Sequence, residues 1–205
     1  MTDSEFHLPD RGDLTEALRI AQRLGVISAR DLEAEITHCE RFAAAVPRGT
    51  SMLVDLGSGG GLPALVIAVL RPEISMVLVE RREKRADLLR RQVIRLNLAN
   101  QLTVECVDSD AHRSSGRLSG QFDAVTARSF GTPEATARAA AHYLRDGGTL
   151  VVSEPPGSTG DRWRVAEPEF TLQSLEHGIA SLRWNTSTHD TGVSRETRSD
   201  QEGHL

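Results

Sequence analysis

The amino-acid sequence predicts an α/β fold with a mostly parallel sheet, two helices before the sheet and an antiparallel hairpin at its end. Three observations lead to this prediction. Short apolar segments alternate with segments of helical periodicity over the middle of the chain. A cluster of glycines follows the first apolar segment, and the alternation ends in two apolar segments separated only by a turn. Alternating strands and helices are typical of βαβ units, whose strands run parallel.

The composition restricts the possible classes of protein. The 205 residues are 39% hydrophobic and 26% charged, which fits one globular domain with a small extension. Since no run of about 18 apolar residues exists, we expect no membrane span. The polar, acidic residues 1–10 argue against a signal peptide. Cys39 and Cys106 are far apart and lack metal-ligand spacing, so we expect no metal site, no disulfide framework and a cytoplasmic protein.

Two amphipathic helices are predicted before the sheet. Residues 13–25 carry apolar side chains at helical spacing and end at a glycine. A second helix is predicted over residues 29–45, where Ser28 and Asp31 resemble a capping box. Pro47-Arg48-Gly49 then breaks the helical pattern. We therefore predict that residues 1–49 form an N-terminal helical extension.

The alternating elements follow in order after this break. Strands are predicted at residues 52–56, 76–80, 102–107, 122–127 and 149–153, and helices at residues 63–69, 84–97 and 133–144. Asp146-Gly147-Gly148 is predicted to close the last helix. Apolar residues 170–175 and 179–184, joined by Glu176-His177-Gly178, are predicted to form an antiparallel hairpin.

Five α/β strands that end in a hairpin suit the Rossmann-like sheet of class I methyltransferases better than the sheet of a dinucleotide dehydrogenase. We predict that residues 50–185 form this S-adenosylmethionine-binding domain. Residues 186–205 contain only two apolar side chains and are predicted to be a disordered tail.

The segment Gly57-Ser58-Gly59-Gly60-Gly61 is the most informative part of the sequence. A strand that leads through glycines into a helix creates a crevice at the carboxyl edge of the sheet, where open α/β sheets bind ligands. Glu80 ends the second predicted strand, so its carboxylate should lie beside this loop. That carboxylate can accept hydrogen bonds from both ribose hydroxyls of an adenosine.

Two adenosine-containing ligands fit this pattern. The segment from Gly59 to Ala64 matches the G-x-G-x-x-A fingerprint of dinucleotide sites. Counted from Gly57, however, the third glycine position is occupied by Leu62. Asp55 also places a carboxylate near the ligand, where it would repel a pyrophosphate but suit the sulfonium and amino groups of S-adenosylmethionine. We therefore expect S-adenosylmethionine as the cofactor, with a dinucleotide as the alternative.

Polar residues follow the third predicted strand. In this fold the corresponding loop borders the adenine, so Asp110, Ala111 and His112 are candidate contacts to the adenine amino group. The alternative is a polar exit from the strand, in which His112 is simply solvated.

Arginines are concentrated between residues 81 and 95. Arg81, Arg82, Arg90 and Arg91 are candidates to contact RNA phosphates. The alternative is a solvated helix face, and the formal net charge of −5 argues weakly against a large nucleic-acid surface.

Several segments together resemble a known family. Residues 55–63 (DLGSGGGLP), 71–73 (RPE), Glu80, 84–85 (KR) and 122–130 (FDAVTARSF) are similar in order and spacing to the small-subunit ribosomal RNA guanine-N7 methyltransferases, also called glucose-inhibited division protein B. The resemblance extends over about residues 52–154. It implies a class I fold, S-adenosylmethionine as methyl donor and N7 of a guanine in ribosomal RNA as acceptor.

The resemblance also implies roles for particular residues. It carries donor binding to Gly57, Leu62, the Ala111-His112 backbone and Arg128. Arg128 is the catalytic candidate, because it could bind a phosphate or the guanine edge; the alternative is an ion pair with Asp123 or Glu134. With the residues argued above, the predicted donor-binding set is Asp55, Gly57, Ser58, Gly59, Gly61, Leu62, Glu80, Asp110, Ala111, His112 and Arg128.

The sequence departs from the family pattern at three places. Ala64 replaces a glycine after Leu-Pro, and the N-terminal helices lack a Trp-Asn-Lys-type segment. Glu154 stands where the family has a lysine, and an acid there is expected to repel RNA. A methyltransferase for a small molecule or another acceptor, or a non-catalytic paralogue that binds S-adenosylmethionine, therefore remains an alternative function.

Overall fold

The computed structural model describes residues 9–185, which form one seven-stranded sheet with helices on both faces. The strands are β1 Met52–Leu56, β2 Ser75–Glu80, β3 Leu102–Cys106, β4 Phe122–Ala127, β5 Leu144–Ser153, β6 Phe170–Glu176 and β7 Ile179–Trp184. The helices are α1 Arg11–Arg23, α2 Leu32–Ala45, α3 Ala64–Leu70, α4 Glu83–Arg95, α5 Ser109–Ser115, α6 Pro133–Tyr143 and a 3₁₀ helix Asp161–Ala166. The predicted tail, residues 186–205, lies outside the described residues.

The strand order determines where a ligand can bind. The sheet has the order β3-β2-β1-β4-β5-β7-β6. The first five strands in this order are parallel, and β7 pairs antiparallel with both β5 and β6. From β1 the chain proceeds outward to β2 and β3 and then returns to β4 on the other side of β1. The reversal puts a crevice at the carboxyl ends of β1 and β4. The predicted fold class is confirmed.

Each face of the sheet is covered by its own apolar cluster. Leu53 of β1 packs in a cluster that includes Leu18 of α1, Ile36 of α2 and Ile67 of α3. Its neighbour Val54 points to the opposite face, where it packs with side chains of α6 and the 3₁₀ helix. The two N-terminal helices thus share a core with α3 and α4. The division into an extension and a catalytic domain stays a prediction.

Two element boundaries differ from the predictions by more than two residues. Helix α2 begins at Leu32 because the Asp31 side chain, rather than Ser28, caps it by accepting a hydrogen bond from Glu33 N at 3.0 Å. Strand β5 begins at Leu144, directly after α6, so Asp146-Gly147-Gly148 lies within the strand and does not close the helix. The glycines occupy a local irregularity of the pairing with β4, where Gly147 has φ +70°.

Two short elements were not predicted. The side chain of Asp108 caps α5 by accepting from Asp110 N at 3.0 Å, and Gly116, with φ +67°, ends that helix. The 3₁₀ helix packs under the hairpin. The predicted hairpin is present, and its two-residue turn has positive φ at His177 and Gly178, the geometry that joins twisted antiparallel strands tightly. Between residues 9 and 185 no helix is long and apolar enough to cross a membrane.

Candidate active site

The glycine loop is held against the end of β2 by backbone hydrogen bonds. The N–H groups of Gly57 and Ser58 both donate to the carbonyl of Val79, at 2.8 and 3.2 Å. Gly57 has φ +70°, and a Cβ atom there would lie 3.0 Å from Cδ2 of Phe130. Only glycine meets both conditions without strain. The loop therefore passes close beneath the crevice and leaves it open.

Glu80 lies beside the loop, as the sequence predicts. Its side chain is buried, and Oε2 accepts a hydrogen bond from Gly59 N at 3.1 Å while Oε1 accepts from Arg82 N at 2.8 Å. Each carboxylate oxygen can accept a further hydrogen bond. Glu80 lines a cavity of about 480 Å³ together with Gly57, Asp110 and Phe130. This cavity, here called the donor cavity, thus brings together three of the predicted donor-binding residues.

The next predicted residues along the chain, Ala111 and His112, lie in α5. Their N–H groups both point to the carbonyl of Asp108, at 2.9 and 3.4 Å, and so are engaged within the helix. His112 is 3% exposed, and its Nδ1 lies 3.0 Å from Oη of Tyr143. Burial lowers the pKa of His112. The alternative that His112 is solvated is wrong, because α5 turns its side chain towards α6.

Asp55 lies beneath the glycine loop, and at 1% exposure it does not form the wall of the crevice. Its Oδ1 accepts a hydrogen bond from Thr126 Oγ1 at 2.6 Å, whereas Oδ2 has no partner in the described part of the chain. Burial raises the pKa of Asp55 to about 6, although the hydrogen bond from Thr126 acts in the opposite direction, as does the nearby Ser58 hydroxyl, which donates to the main-chain carbonyl of Asp55 at 3.1 Å. The site therefore contains a carboxylate whose charge is costly and only partly compensated.

Arg128 follows β4 and forms an ion pair with Glu35 of α2. The two side chains are 18% and 10% exposed, and Arg128 Nη1 lies 3.5 Å from Sγ of Cys39. Burial, and then the charge of Arg30, lower the pKa of Arg128 from its ordinary value. The partners considered from sequence, Asp123 and Glu134, are wrong: Asp123 instead pairs with Arg145, with Arg145 Nε 2.6 Å from Asp123 Oδ1.

A second cavity, of about 650 Å³, adjoins the donor cavity and is here called the acceptor cavity. Residues 129–131 line both cavities. Arg128 lines the acceptor cavity and also a smaller cavity of about 250 Å³ along the glycine loop, which Ser58, Gly59 and Leu62 line too. Arg128 thus lies between the glycine loop and the acceptor cavity.

Glu154, the acid at the position of the family's lysine, is fully buried at the wall of the acceptor cavity. Its carboxylate accepts hydrogen bonds from Trp163 Nε1 at 2.8 Å and from Ser158 Oγ at 2.5 Å, and Arg162 Nε lies 3.4 Å away. The repulsion of RNA expected from this acid is therefore reduced, because its charge is compensated inside the protein.

The structure adds functional candidates that sequence reasoning missed. Glu35 could have been found from the sequence, because it lies among the apolar positions of α2, between Leu32 and Cys39, where a buried acid needs a partner. Ile27, in the linker between α1 and α2, packs against the glycine loop so closely that a Cβ on Gly60 would lie 2.5 Å from Ile27 Cγ1. The N-terminal segment therefore helps to shape the site.

The strand order, the glycine loop and the acid at the end of β2 define the class I methyltransferase fold. A solved structure with this fold, an O-methyltransferase from Bacillus cereus in complex with SAH, superposes with a TM-score of 0.63 at 16% identity, covering 87% of this chain and 93% of that one. That likeness concerns the fold alone.

The chain belongs to the family described as rRNA small subunit methyltransferase G, whose family model matches residues 21–177. A relative with that name from Xanthomonas campestris pv. campestris (strain 8004) is 30% identical over 177 residues, covering 80% of this chain and 79% of the relative. Another from Leifsonia xyli subsp. xyli is 41% identical over 98 residues, covering 48% of this chain. That match spans 44% of the Leifsonia protein, less than half its length.

Proposed function

We propose that the chain is an S-adenosylmethionine-dependent methyltransferase that methylates N7 of a guanine in small-subunit ribosomal RNA. The observation that carries the first part is the geometry of Glu80: a buried carboxylate bonded to Gly59 N and Arg82 N at the edge of a cavity of about 480 Å³. Family membership supports the ribosomal acceptor. The proposed substrate would also place the protein in the cytoplasm.

The donor is proposed to lie along the carboxyl ends of β1 and β2. Its ribose hydroxyls would donate to the free lone pairs of Glu80, and its adenine would lie towards Asp110 in the donor cavity. Its methionine part would follow the glycine loop past Ser58 and Leu62 towards Arg128. The buried charge of Asp55 beneath the loop favours a positively charged sulfonium over a pyrophosphate.

The proposed reaction makes few demands on side chains. Guanine N7 offers a free lone pair and loses no proton on methylation, so no general base is needed. The protein has to hold N7, the methyl carbon and the sulfur in line, and such positioning can supply up to ~7–11 kcal/mol in favourable cases. Arg128, fixed by Glu35 beside the acceptor cavity, is proposed to orient the guanine or its phosphate.

The arginines on and before α4 remain candidates for further RNA contacts. Arg81 and Arg82 line the donor cavity, and Arg91 lines a groove between α4 and the end of α1. Arg90 is paired with Asp87, its Nη1 lying 2.8 Å from Oδ1. We propose that this surface, when it contacts RNA, does so through phosphates.

The donor and the acceptor can be tested in one experiment. The protein is incubated with S-adenosylmethionine labelled in its methyl group and, in parallel, with small ribosomal subunits or with a metabolite extract. Label in the ribosomal RNA supports the proposal, whereas label in the extract alone identifies a small-molecule methyltransferase. Calorimetric binding of the donor without transfer to either acceptor would identify a non-catalytic paralogue.

A further inference from the structure

The acceptor cavity carries more positive charge than its carboxylates compensate. Four arginines line it, namely Arg30, Arg41, Arg128 and Arg162, and the two carboxylates at its wall are Glu35 and Glu154. Among residues 9–185, Glu35 pairs with Arg128 and lies 3.8 Å from Arg30 Nη1, whereas Glu154 accepts from Trp163 and Ser158 and lies 3.4 Å from Arg162 Nε. Because both acids are buried and already bonded, neither can neutralise the remaining guanidinium groups fully.

Arg41 is the clearest of the uncompensated cations. It is exposed on α2, and its Nη1 donates to the carbonyl of His177 at 3.1 Å, which fixes it near the hairpin turn. Among residues 9–185, Arg41 thus contacts a carbonyl and forms no ion pair with a carboxylate. Burial, and then the charge of Arg41, lower the pKa of His38. Most of the guanidinium donors of Arg41 therefore remain available to an anion.

Arg162 approaches the same cavity from the 3₁₀ helix. Its guanidinium carbon lies 5.6 Å from the ring centroid of Trp163, and its side chain is 38% exposed. The contact with the indole ring and the Glu154 carboxylate, 3.4 Å from Nε, holds the stem in place while the outer nitrogens are left for a ligand. Arg41 and Arg162 thus come to one cavity from two separate elements.

We propose that Arg41 and Arg162 bind phosphate groups of a single-stranded or looped RNA segment on either side of the methylated guanine. The inference rests on the proposed function and adds the acceptor subsite to it. Sequence-specific RNA recognition usually targets unpaired nucleotides whose bases are turned outward. The acceptor cavity adjoins the donor cavity through residues 129–131, so a base bound there lies beside the methyl group while its phosphates meet these two arginines.

The arginines on and before α4 are less suited to this role, because none of them lines the acceptor cavity. Arg90 also pairs with Asp87 and donates to the carbonyl of Val104. Arg81 and Arg82 line the donor cavity, not the acceptor cavity. The acceptor subsite is therefore distinct from the surface that the charge pattern of the sequence emphasises.

The test measures binding of a short fluorescein-labelled single-stranded RNA containing guanine, by fluorescence anisotropy, over a range of salt concentrations. Five proteins are compared with the unmodified chain: Arg41→Ala, Arg41→Lys, Arg41→Ala with Arg162→Gln, Arg90→Ala with Arg91→Ala, and Arg19→Ala with Arg23→Ala. The last pair removes the same formal charge from α1, where both arginines contact Glu16. Calorimetry with S-adenosylmethionine checks that donor affinity is unchanged.

Arg41→Ala should weaken RNA binding by about tenfold and reduce the slope of log K against log salt by about 0.7, the value for one phosphate of a single strand. The double variant of the acceptor cavity should reduce that slope by about 1.4. The α1 pair should leave the slope unchanged, and the α4 pair should change it less than the acceptor-cavity pair. Arg41→Lys, which keeps the charge, should restore most of the affinity.

An unchanged slope in Arg41→Ala, or a larger effect of the α4 pair, overturns the subsite. If Arg162→Gln does not fold because Glu154 loses a partner, Arg41→Ala decides alone, since Arg41 is exposed and its one side-chain hydrogen bond among residues 9–185 is to the carbonyl of His177. RNA binding with the expected slopes but without methyl transfer would support the subsite and reject the proposed activity. RNA methylation together with unchanged RNA binding in Arg41→Ala would support the proposed activity and reject the subsite.

Discussion

Replacing Glu35 by glutamine removes the carboxylate that faces the Arg128 guanidinium while keeping the size of the side chain. The two side chains are 10% and 18% exposed. Leaving one member of a buried pair without its partner costs about 3–5 kcal/mol. Since Arg128 borders a cavity of about 650 Å³ that water can enter, we expect a smaller loss in the free energy of unfolding, about 2–3 kcal/mol. For a chain of this length that corresponds to a decrease in Tm of roughly 5–10 °C.

Urea and thermal unfolding of Glu35→Gln, Arg128→Met and the double variant measure this coupling directly. The double variant should be more stable than the sum of the two single losses predicts, because it no longer contains an unpaired charge. Glu33→Gln is the matched control. Glu33 lies on the exposed side of α2 and pairs with Arg11 of α1, so loss of its charge should change the free energy of unfolding by less than about 0.5 kcal/mol. Equal stability of Glu35→Gln and the unmodified chain, or strictly additive losses, would refute the reasoning.

Three further variants test the donor site and the buried acid. Gly59 has φ +54°, so Gly59→Val should reduce donor affinity, measured by calorimetry, at least about tenfold through backbone strain and lost space. Gly49→Val is the control: Gly49 has φ +82° in open surroundings, so this variant should fold and bind the donor with normal affinity. Glu80→Gln should also weaken donor binding about tenfold, because an amide cannot accept from Gly59 N and Arg82 N at once. Equal donor affinity in Glu80→Gln and in the exposed control Glu83→Gln would contradict the proposal that Glu80 binds the ribose hydroxyls. The pKa of Asp55 is about 6 in the folded state and about 3.9 in the unfolded state, so the folded state binds the proton more tightly. The free energy of unfolding should therefore fall by about 3 kcal/mol as the pH rises from about 4 to 7. Asp55→Asn should lose this part of the pH profile in urea unfolding; an identical profile would show that Asp55 titrates normally.

The parts of the site predicted from sequence are those whose chemistry is local. The glycine loop and Glu80 could be identified because a strand end, a turn and the next strand end are fixed by short-range patterns. The structure joins them by hydrogen bonds from Gly57 N to Val79 and from Gly59 N to Glu80. A residue at the end of a parallel strand has little freedom to lie anywhere else.

The parts that were missed depend on packing between distant segments. Glu35 and Arg128 are 93 positions apart, and no periodicity reports their contact. His112 was expected in a loop because α5 has only seven residues, although Asp108 and Gly116 are ordinary start and stop signals for it. The glycines at 147 and 148 resembled a helix end, but β5 pairs with β4 on both sides of them and carries the strand through.

The central claim is tested most directly by locating the transferred methyl group. Small ribosomal subunits lacking the modification are incubated with the protein and labelled S-adenosylmethionine, and their RNA is treated with borohydride and aniline, which cleaves the strand at N7-methylguanine. We expect incorporated label and a single new cleavage site at a guanine, both reduced about fivefold in Glu80→Gln at donor concentrations near the unmodified chain's Kd, because a tenfold weaker Kd lowers the donor occupancy by that factor. Label in the RNA without cleavage would contradict N7 as the acceptor, and no label in the RNA beside normal donor binding would contradict the ribosomal substrate.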